Sequence, residues 1–374
     1  MSEARVNNLS NESNTGGPTI TGITTFSGTN FFVPPVGNTA QRPENPQKGA
    51  LRFNTDTKHL EYYKGETIGW SEIEASHGQL DGGARGIHMG GNNPSNSDII
   101  QYITITTLGN SIDFGNLTLA RSSNTTFSSK TRACCAGGYT NAPNITIDYV
   151  TISSTGNAQD FGDLLNNSHQ YAPTGTGDQT RGLVAGGLKL PSPYTDTDVI
   201  QYNTIATTGN ALDFGDLTIP RTDLASFNSS TRSVFCGGYL GPGGGAGTNI
   251  IDYVTTQTLG NAADFGDLIA VGGVPNDSGC SNSTRGIVFG SRSPSAINNI
   301  EYVTIATLGN ATDFGDMTHT GGTNCATSNS TRATEWNDAE ISYVEILTTG
   351  NAVDFGDFTA ADYASACSNA HGGL

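Results

Sequence analysis

The residues best able to do chemistry in this chain recur in one tight grouping. Asp-Phe-Gly occurs six times, beginning at Asp113, Asp160, Asp213, Asp264, Asp313 and Asp354, and a second aspartate follows in every copy but the first, which ends in Asn116. A single Asp-Phe-Gly beside a catalytic loop would hold magnesium for phosphoryl transfer. Six copies at a regular period, with no catalytic or phosphate loop, read instead as structure: the phenylalanines pack between sheets and the carboxylates accept hydrogen bonds in turns. Acids spaced as in Asp160-Phe161-Gly162-Asp163 offer oxygen ligands to Ca²⁺, but the spacing matches no EF-hand or nonapeptide calcium loop, so neither metal nor cofactor is expected. Arginine keeps the same count, at Arg85, Arg132, Arg181, Arg232, Arg285 and Arg332. A buried charge must be paired, so equal numbers in register predict an Arg–carboxylate fork within or between repeats.

Other chemistries find no support. The six histidines fall at unrelated places in the repeat, no Gly-x-Ser-x-Gly elbow or sialidase Asp-box occurs, and Gly241-Pro-Gly-Gly-Gly-Ala-Gly247 lacks the Lys-Ser/Thr of a phosphate loop. The six cysteines form no Cys-x-x-Cys pair and no zinc spacing, and most are expected to be reduced and buried. The reading is that the protein is not an enzyme and has no catalytic residues; its binding residues stay unassigned.

The elements that position these residues are legible from their period. Each Asp-Phe-Gly follows a strand of the type Ile300-Glu301-Tyr302-Val303-Thr304-Ile305, with tyrosines at 102, 149, 202, 253, 302 and 343, separated by 47, 53, 51, 49 and 41 residues. Around it lie a strand opened by the repeating arginine, a variable loop, a Gly-Asn turn and a polar fourth segment. Four short strands per unit of about 50 residues predict an all-β fold, a six-bladed β-propeller. The Gly-Gly after the arginine strand is similar to the doublet of kelch repeats, though the rest of that signature is incomplete. Ala364-Ser365-Ala366-Cys367 echoes the text that precedes other arginines, so the C-terminus is expected to complete a sheet begun near residue 80. A solenoid is the alternative.

Composition sets outer bounds. Residues 1–80 carry 8 acids and 6 bases and residues 81–374 carry 26 and 11, so the repeat region holds −15 of the net −17. Such a surface repels phosphate backbones and speaks against nucleic acid. No secretory signal and no apolar run long enough to span a bilayer is present, so no membrane insertion is expected. Residues 1–36 read as a flexible or extended arm, with Pro34-Pro35-Val36-Gly37 stopping any strand. Residues 37–76 read as a small β-meander with a β-hairpin at Leu51-Arg52-Phe53 and Leu60-Glu61-Tyr62-Tyr63, and residues 77–374 as the propeller.

The series Arg42-Pro43, Gly49-Ala50-Leu51-Arg52-Phe53-Asn54-Thr55-Asp56-Thr57, Leu60-Glu61-Tyr62-Tyr63 and Trp70 resembles a short module of tail-fibre and related virion proteins of tailed bacteriophages. The Gly-Asn-Ala-x-Asp-Phe-Gly-Asp-Leu repeats are similar to those of marine phage structural proteins. The resemblance implies a virion structural protein assembled in the host cytoplasm, a tail fibre or other surface appendage for host attachment. It also implies docking on other virion proteins through the N-terminal segment, and a homo-oligomer with a trimer as default. The alternatives are a head-decoration protein and a carbohydrate-binding, lectin-like propeller. In the latter, loops 91–98, 139–144, 188–198, 239–249 and 291–298, with Tyr139, Tyr194 and Tyr239, would meet a host-surface glycan.

Overall fold

The computed structural model describes residues 34–73 and 84–374, except 141, 143, 166–170, 190–193, 242–244, 271–276, 292–294, 321–324 and 360. The arm expected over residues 1–36 therefore lies almost entirely outside the described residues. The chain divides into two compact units, Met1–His77 and Gly78–Leu374.

In the first unit the expected meander forms from β1 (Val36–Gly37), β2 (Leu51–Asn54), β3 (His59–Tyr63) and β4 (Trp70–Ile73), hydrogen-bonded in that order. One expectation is corrected. Val36–Gly37 does not merely end a segment; it adds a parallel strand, Val36 facing Phe53 and Gly37 facing Asn54. The prolines precede the paired residues, so they remove no donor that the ladder needs. Glu61, fully buried, joins Arg42 at 2.5 Å and Arg52 at 3.1 Å, and takes a hydrogen bond from Asn54 at 3.2 Å. Those four residues belong to the series that carries the resemblance. The Arg42 guanidinium holds the Glu61 carboxyl below the usual carboxylate range.

The second unit is all-β among its described residues and contains six four-stranded antiparallel sheets. From inner to outer strand, the first sheet is Ser365–Ser368, Arg85–Met89, Ser97–Thr104 and Ile112–Arg121. The second is Thr125–Ser128, Arg132–Ala136, Thr146–Thr151 and Gln159–Asp163; the third Thr174–Gly177, Arg181–Ala185, Val199–Thr204 and Leu212–Asp216. The fourth is Ala225–Asn228, Arg232–Cys236, Ile250–Thr255 and Ala263–Asp267; the fifth Gly279–Ser281, Arg285–Ser291, Ile297–Thr304 and Thr312–Asp316. The sixth is Cys325–Ser328, Arg332–Asn337, Glu340–Glu345 and Val353–Asp357. Each sheet is open; none curls into a barrel of its own.

Both faces of every sheet are apolar because each is packed between two others. In the third strand, isoleucine and tyrosine face one neighbour and valine faces the other. Ile100 and Tyr102 thus share a cluster with Val150 and Ile152 of the second sheet, while Ile147 and Tyr149 share one with Val184 and Ile205 of the third. Each tyrosine meets its own Asp-Phe-Gly phenylalanine edge-on, as Tyr149 does Phe161 at 5.9 Å. The last cluster joins Tyr343 and Phe355 of the sixth sheet to Ile103 and Ile105 of the first.

Hydrogen bonds run through the same seams. The Gly156 N–H donates to the Phe114 carbonyl at 2.8 Å, Ala158 N–H donates to the Asn116 carbonyl at 2.8 Å, and the Asn157 side-chain oxygen accepts from Asn116 N–H at 3.1 Å. The pattern repeats from sheet to sheet and returns to the start: Gly109 and Ser111 donate to Phe355 and Asp357, and the Asn110 side chain accepts from Asp357 N–H at 3.1 Å. The glycine of Asp-Phe-Gly is fixed by this approach. At Gly162 (φ +144) a Cβ would stand 2.6 Å from the Gly209 carbonyl. Gly162→Ala should therefore lose about 3 kcal/mol through clash and left-handed backbone strain. Asn210→Ala gives up one partly exposed hydrogen bond to Asp163 and should lose about 1 kcal/mol. Urea unfolding of the two variants beside the parent checks both figures.

Candidate functional site

The repeating arginines and aspartates are not brought together, and the predicted fork does not form. Asp113, Asp160, Asp213, Asp264, Asp313 and Asp354 are all exposed on the outer strands. Each arginine lies instead over the tyrosine of its own sheet, 4.1–4.8 Å from the ring centroid, from Arg85 on Tyr102 to Arg332 on Tyr343. Its guanidinium then donates to a carbonyl of the next sheet: Arg132 to Ile205 at 2.9 Å, Arg232 to Ile305 at 2.8 Å, and Arg332 to Ile105 of the first sheet at 3.0 Å. An aromatic face and a carbonyl offer the cation partial negative charge while its rim stays wet, so no carboxylate is required. Arg332 alone adds a carboxylate, Glu345, at 3.1 Å.

The residue three before each arginine shapes the turn into that strand. Ser129, Asp178, Ser229, Asn282 and Asn329 each accept the arginine's backbone N–H with a side-chain oxygen. For Arg85 the acceptor is Asn369, 284 residues away, at 2.8 Å. The C-terminal segment therefore supplies the acceptor side chain that a glycine at position 82 cannot.

Fully buried ion pairs exist elsewhere, and the reading of the sequence missed them. Arg121 pairs with Asp148, and Arg221 with Asp252 at 3.0 Å, all four side chains being fully buried. Asp148 and Asp252 sit between the isoleucine and tyrosine of the third strand, where other repeats place Gln101, Gln201, Glu301 and Ser342. Most of these accept backbone N–H groups in or just after the preceding outer strand: Thr118 on Asp148, Leu165 on Gln201, Ile269 on Glu301 and Thr359 on Gln101. The sixth sheet varies the theme, with His319 at 3.2 Å from buried Glu335, to which Ser342 donates at 3.0 Å.

Basic side chains thus occupy alternate seams, at Arg121, Arg221 and His319, and the sheets alternate in kind. Phe127, Phe227 and Thr327 crowd Gly182, Gly286 and Gly86, where any Cβ would collide with them. The signal was present at twice the inspected period: 121 to 221 and 127 to 227 are each 100 residues.

Two further places have the character of sites. The inner strands of all six sheets line one narrow cavity with about 50 Å³ of space for water, walled by hydroxyls such as Thr176, Ser226 and Ser281. At one end His371 lies 3.0 Å from the Ser128 carbonyl, and Gly372 and Gly373 fit only without side chains against Asn228, Asn282 and Gly177. At the other end stands Asp277. The second place is the rim of variable loops. Tyr139 packs edge-on against Tyr171 at 6.2 Å, and Tyr239 bridges to Thr222. Tyr194 is 51% exposed beside a small hairpin of Leu188–Lys189 and Thr195–Asp196. Parts of loops 139–144, 188–198, 239–249 and 291–298 lie outside the described residues.

All six cysteines are free and buried, as expected, and burial pushes the Cys135 thiol up to about 11 and Cys367 to about 12. His88 is buried against Trp336 and Phe358, and that burial lowers it to about 4. Among the described residues no group of three or more His, Cys, Asp or Glu side chains is arranged to hold a metal ion. Among the same residues no helix is long and apolar enough to cross a membrane.

Fold and sites together define an all-β repeat protein whose recurring side chains join one sheet to the next. No family model and no curated protein matches the chain.

The two classes of arginine separate experimentally. Arg221→Ala strands Asp252 in the interior and should cost about 3–5 kcal/mol. Arg232→Ala gives up a ring contact and one carbonyl hydrogen bond, about 2 kcal/mol. Paired denaturant titrations read the difference.

Proposed function

We propose that residues 77–374 form a six-bladed β-propeller, and that the protein is a structural component of a bacteriophage virion, a tail fibre or other surface appendage. The observation that carries this reading is the use of the recurring residues. Arginine, tyrosine, Gly-Asn and Asp-Phe-Gly are spent on joining sheets, which leaves sequence variation to the loops. The chain enters the repeat unit at Ala84–Arg85, at the end of the strands where the recurring turns lie; the variable loops lie at the other end. A unit held at its constant end and varied at its free end suits display for host attachment. The C-terminal strand Ser365–Ser368, paired with Arg85–Met89, and the seam from sixth sheet to first support the closed arrangement. The phage assignment rests on the resemblance of residues 37–74 and of the repeats. In this reading the N-terminal segment docks on other virion proteins and assembles the chain as a homo-oligomer, a trimer by default. Neither nucleic acid nor catalysis has a part.

Light scattering of the full chain beside residues 78–374 tests the assignment. A trimer or larger assembly for the full chain and a monomer for the truncated one is the expected result; two monomers would remove the fibre reading.

A second reading, a glycan-binding rim, draws on the Tyr139–Tyr171 pair and on exposed Tyr194. A glycan array should then show binding that Tyr194→Ala reduces at least several-fold; an array without signal at high protein concentration sinks it.

A further inference from the structure

Asp277 ties several sheets together at the centre of the repeat unit. It is 4% exposed, stands just before the inner strand of the fifth sheet, and adopts φ +57. Its Oδ2 accepts from the Thr125 hydroxyl of the second sheet at 2.7 Å, and the Thr126 N–H also points at the carboxyl. Its Oδ1 lies 2.9 Å from the Thr174 hydroxyl and 3.3 Å from the Gly175 N–H, both of the third sheet. Its own N–H donates to the Leu224 carbonyl beside the fourth sheet, and its carbonyl accepts from Ala326 N–H of the sixth. One residue at the entry to the fifth sheet thereby reaches four others.

Hydrogen counting fixes what this carboxyl must be. Thr174 Oγ1 lies 2.9 Å from Asp277 Oδ1 and 2.8 Å from Ser226 Oγ, and Ser226 Oγ lies 2.8 Å from the Gly175 carbonyl oxygen. These are three oxygen–oxygen contacts at hydrogen-bond distance, but the two hydroxyls supply only two hydrogens, and a carbonyl supplies none. Ser226 must donate to the carbonyl and Thr174 to Ser226. If each contact carries its own hydrogen, the third comes from Asp277, whose carboxyl is then protonated.

We propose that Asp277 is a pH-operated latch at the hub: its protonated carboxyl donates to Thr174 and starts a relay through Ser226 to the Gly175 carbonyl that ties the inner strands of the third and fourth sheets. On deprotonation Thr174 must turn its hydrogen to the carboxylate, and the Thr174–Ser226 contact is left as two oxygens with no hydrogen between them. The titratable groups facing the carboxyl are thiols: Cys135 from the second sheet, Cys325 from the sixth and Cys367 from the first. All three are raised by burial and stay neutral, and among the described residues no cation forms an ion pair with Asp277. Burial without a counter-ion raises this carboxyl to about 7. Its unfolded value is near 4, so the folded protein holds the proton more tightly between those limits. The stability that the protonated group contributes is complete at the acid end of that window. It is lost as the pH climbs to about 7.

The test is thermal unfolding of the full chain across roughly pH 5 to 8, with infrared difference spectra of the folded protein. The parent should lose several degrees of melting temperature over that range relative to Asp277→Asn, whose amide N–H donates in the same direction at every pH. A protonated-carboxyl C=O band should be present at the acid end, fade towards the alkaline end, and be missing from Asp277→Asn. Ser226→Ala, which cuts the relay and frees the Thr174 hydrogen for the carboxylate, should shrink the pH dependence and make the band fade at lower pH than in the parent; it serves as the comparison if Asp277→Asn fails to fold. Equal pH slopes in parent and variant, or no such band in the parent at the acid end, would overturn the latch.

Discussion

The repeat unit depends on one contact made six times: a Gly-Asn-Ala or Gly-Asn-Ser turn laid onto the outer strand of the preceding sheet. Two backbone hydrogen bonds and one from the asparagine side chain hold it, and the Asp-Phe-Gly glycine must lack a side chain for the two backbones to come this close. Everything else in the repeat follows from having a neighbour on each face. A sheet covered on both sides has no solvent face, so its third strand carries isoleucine, tyrosine and valine in sequence rather than in alternation with polar residues. The polar position between isoleucine and tyrosine is buried and must be satisfied, which Asp148, Gln201 and Glu301 achieve with backbone N–H groups of the sheet before.

The same geometry explains the placement of charge. Each outer strand is an edge, and unpaired edges invite pairing with other chains. An exposed aspartate at the start of Asp-Phe-Gly-Asp and an exposed or half-buried one at its end give nearly every edge two like charges, which disfavours strand addition from another copy. The net charge of the repeat region is thus concentrated where uncontrolled association would begin. Inside, the side chains are small. Glycine, serine, cysteine and alanine dominate the inner strands, which lets six of them converge on a cavity holding little more than water.

Much of this was legible in the sequence, and the exceptions have physical reasons. The six four-stranded units, their tyrosines and the completing strand near Cys367 follow from period and strand alternation, signals that local sequence carries directly. The arginine's partner did not. Counting arginines against aspartates assumed that charge seeks opposite charge, whereas Arg132 and its counterparts sit at a wet rim where a tyrosine face and a carbonyl suffice. The buried pairs of Arg121 and Arg221 escaped because they recur every second sheet. Val36–Gly37 was read as a stop because the preceding prolines dominate its local signal; its pairing with Phe53 and Asn54 depends on residues 17 positions away. Asp223 holds the same left-handed place before the fourth sheet's inner strand, so position in the repeat could not single out Asp277; its contacts with distant strands do.

The central claim is that the seams run without interruption through all six sheets, including the one joining the chain's last sheet to its first. Amide hydrogen exchange at the six turn glycines measures this directly, because Gly156, Gly209, Gly260, Gly309 and Gly350 donate to the preceding sheet while Gly109 donates to Phe355, 246 residues further along. The account predicts that Gly109 exchanges as slowly as the other five, within about tenfold. Exchange of Gly109 at the rate of an unprotected amide, with the other five still slow, would mean that the sixth sheet does not reach the first.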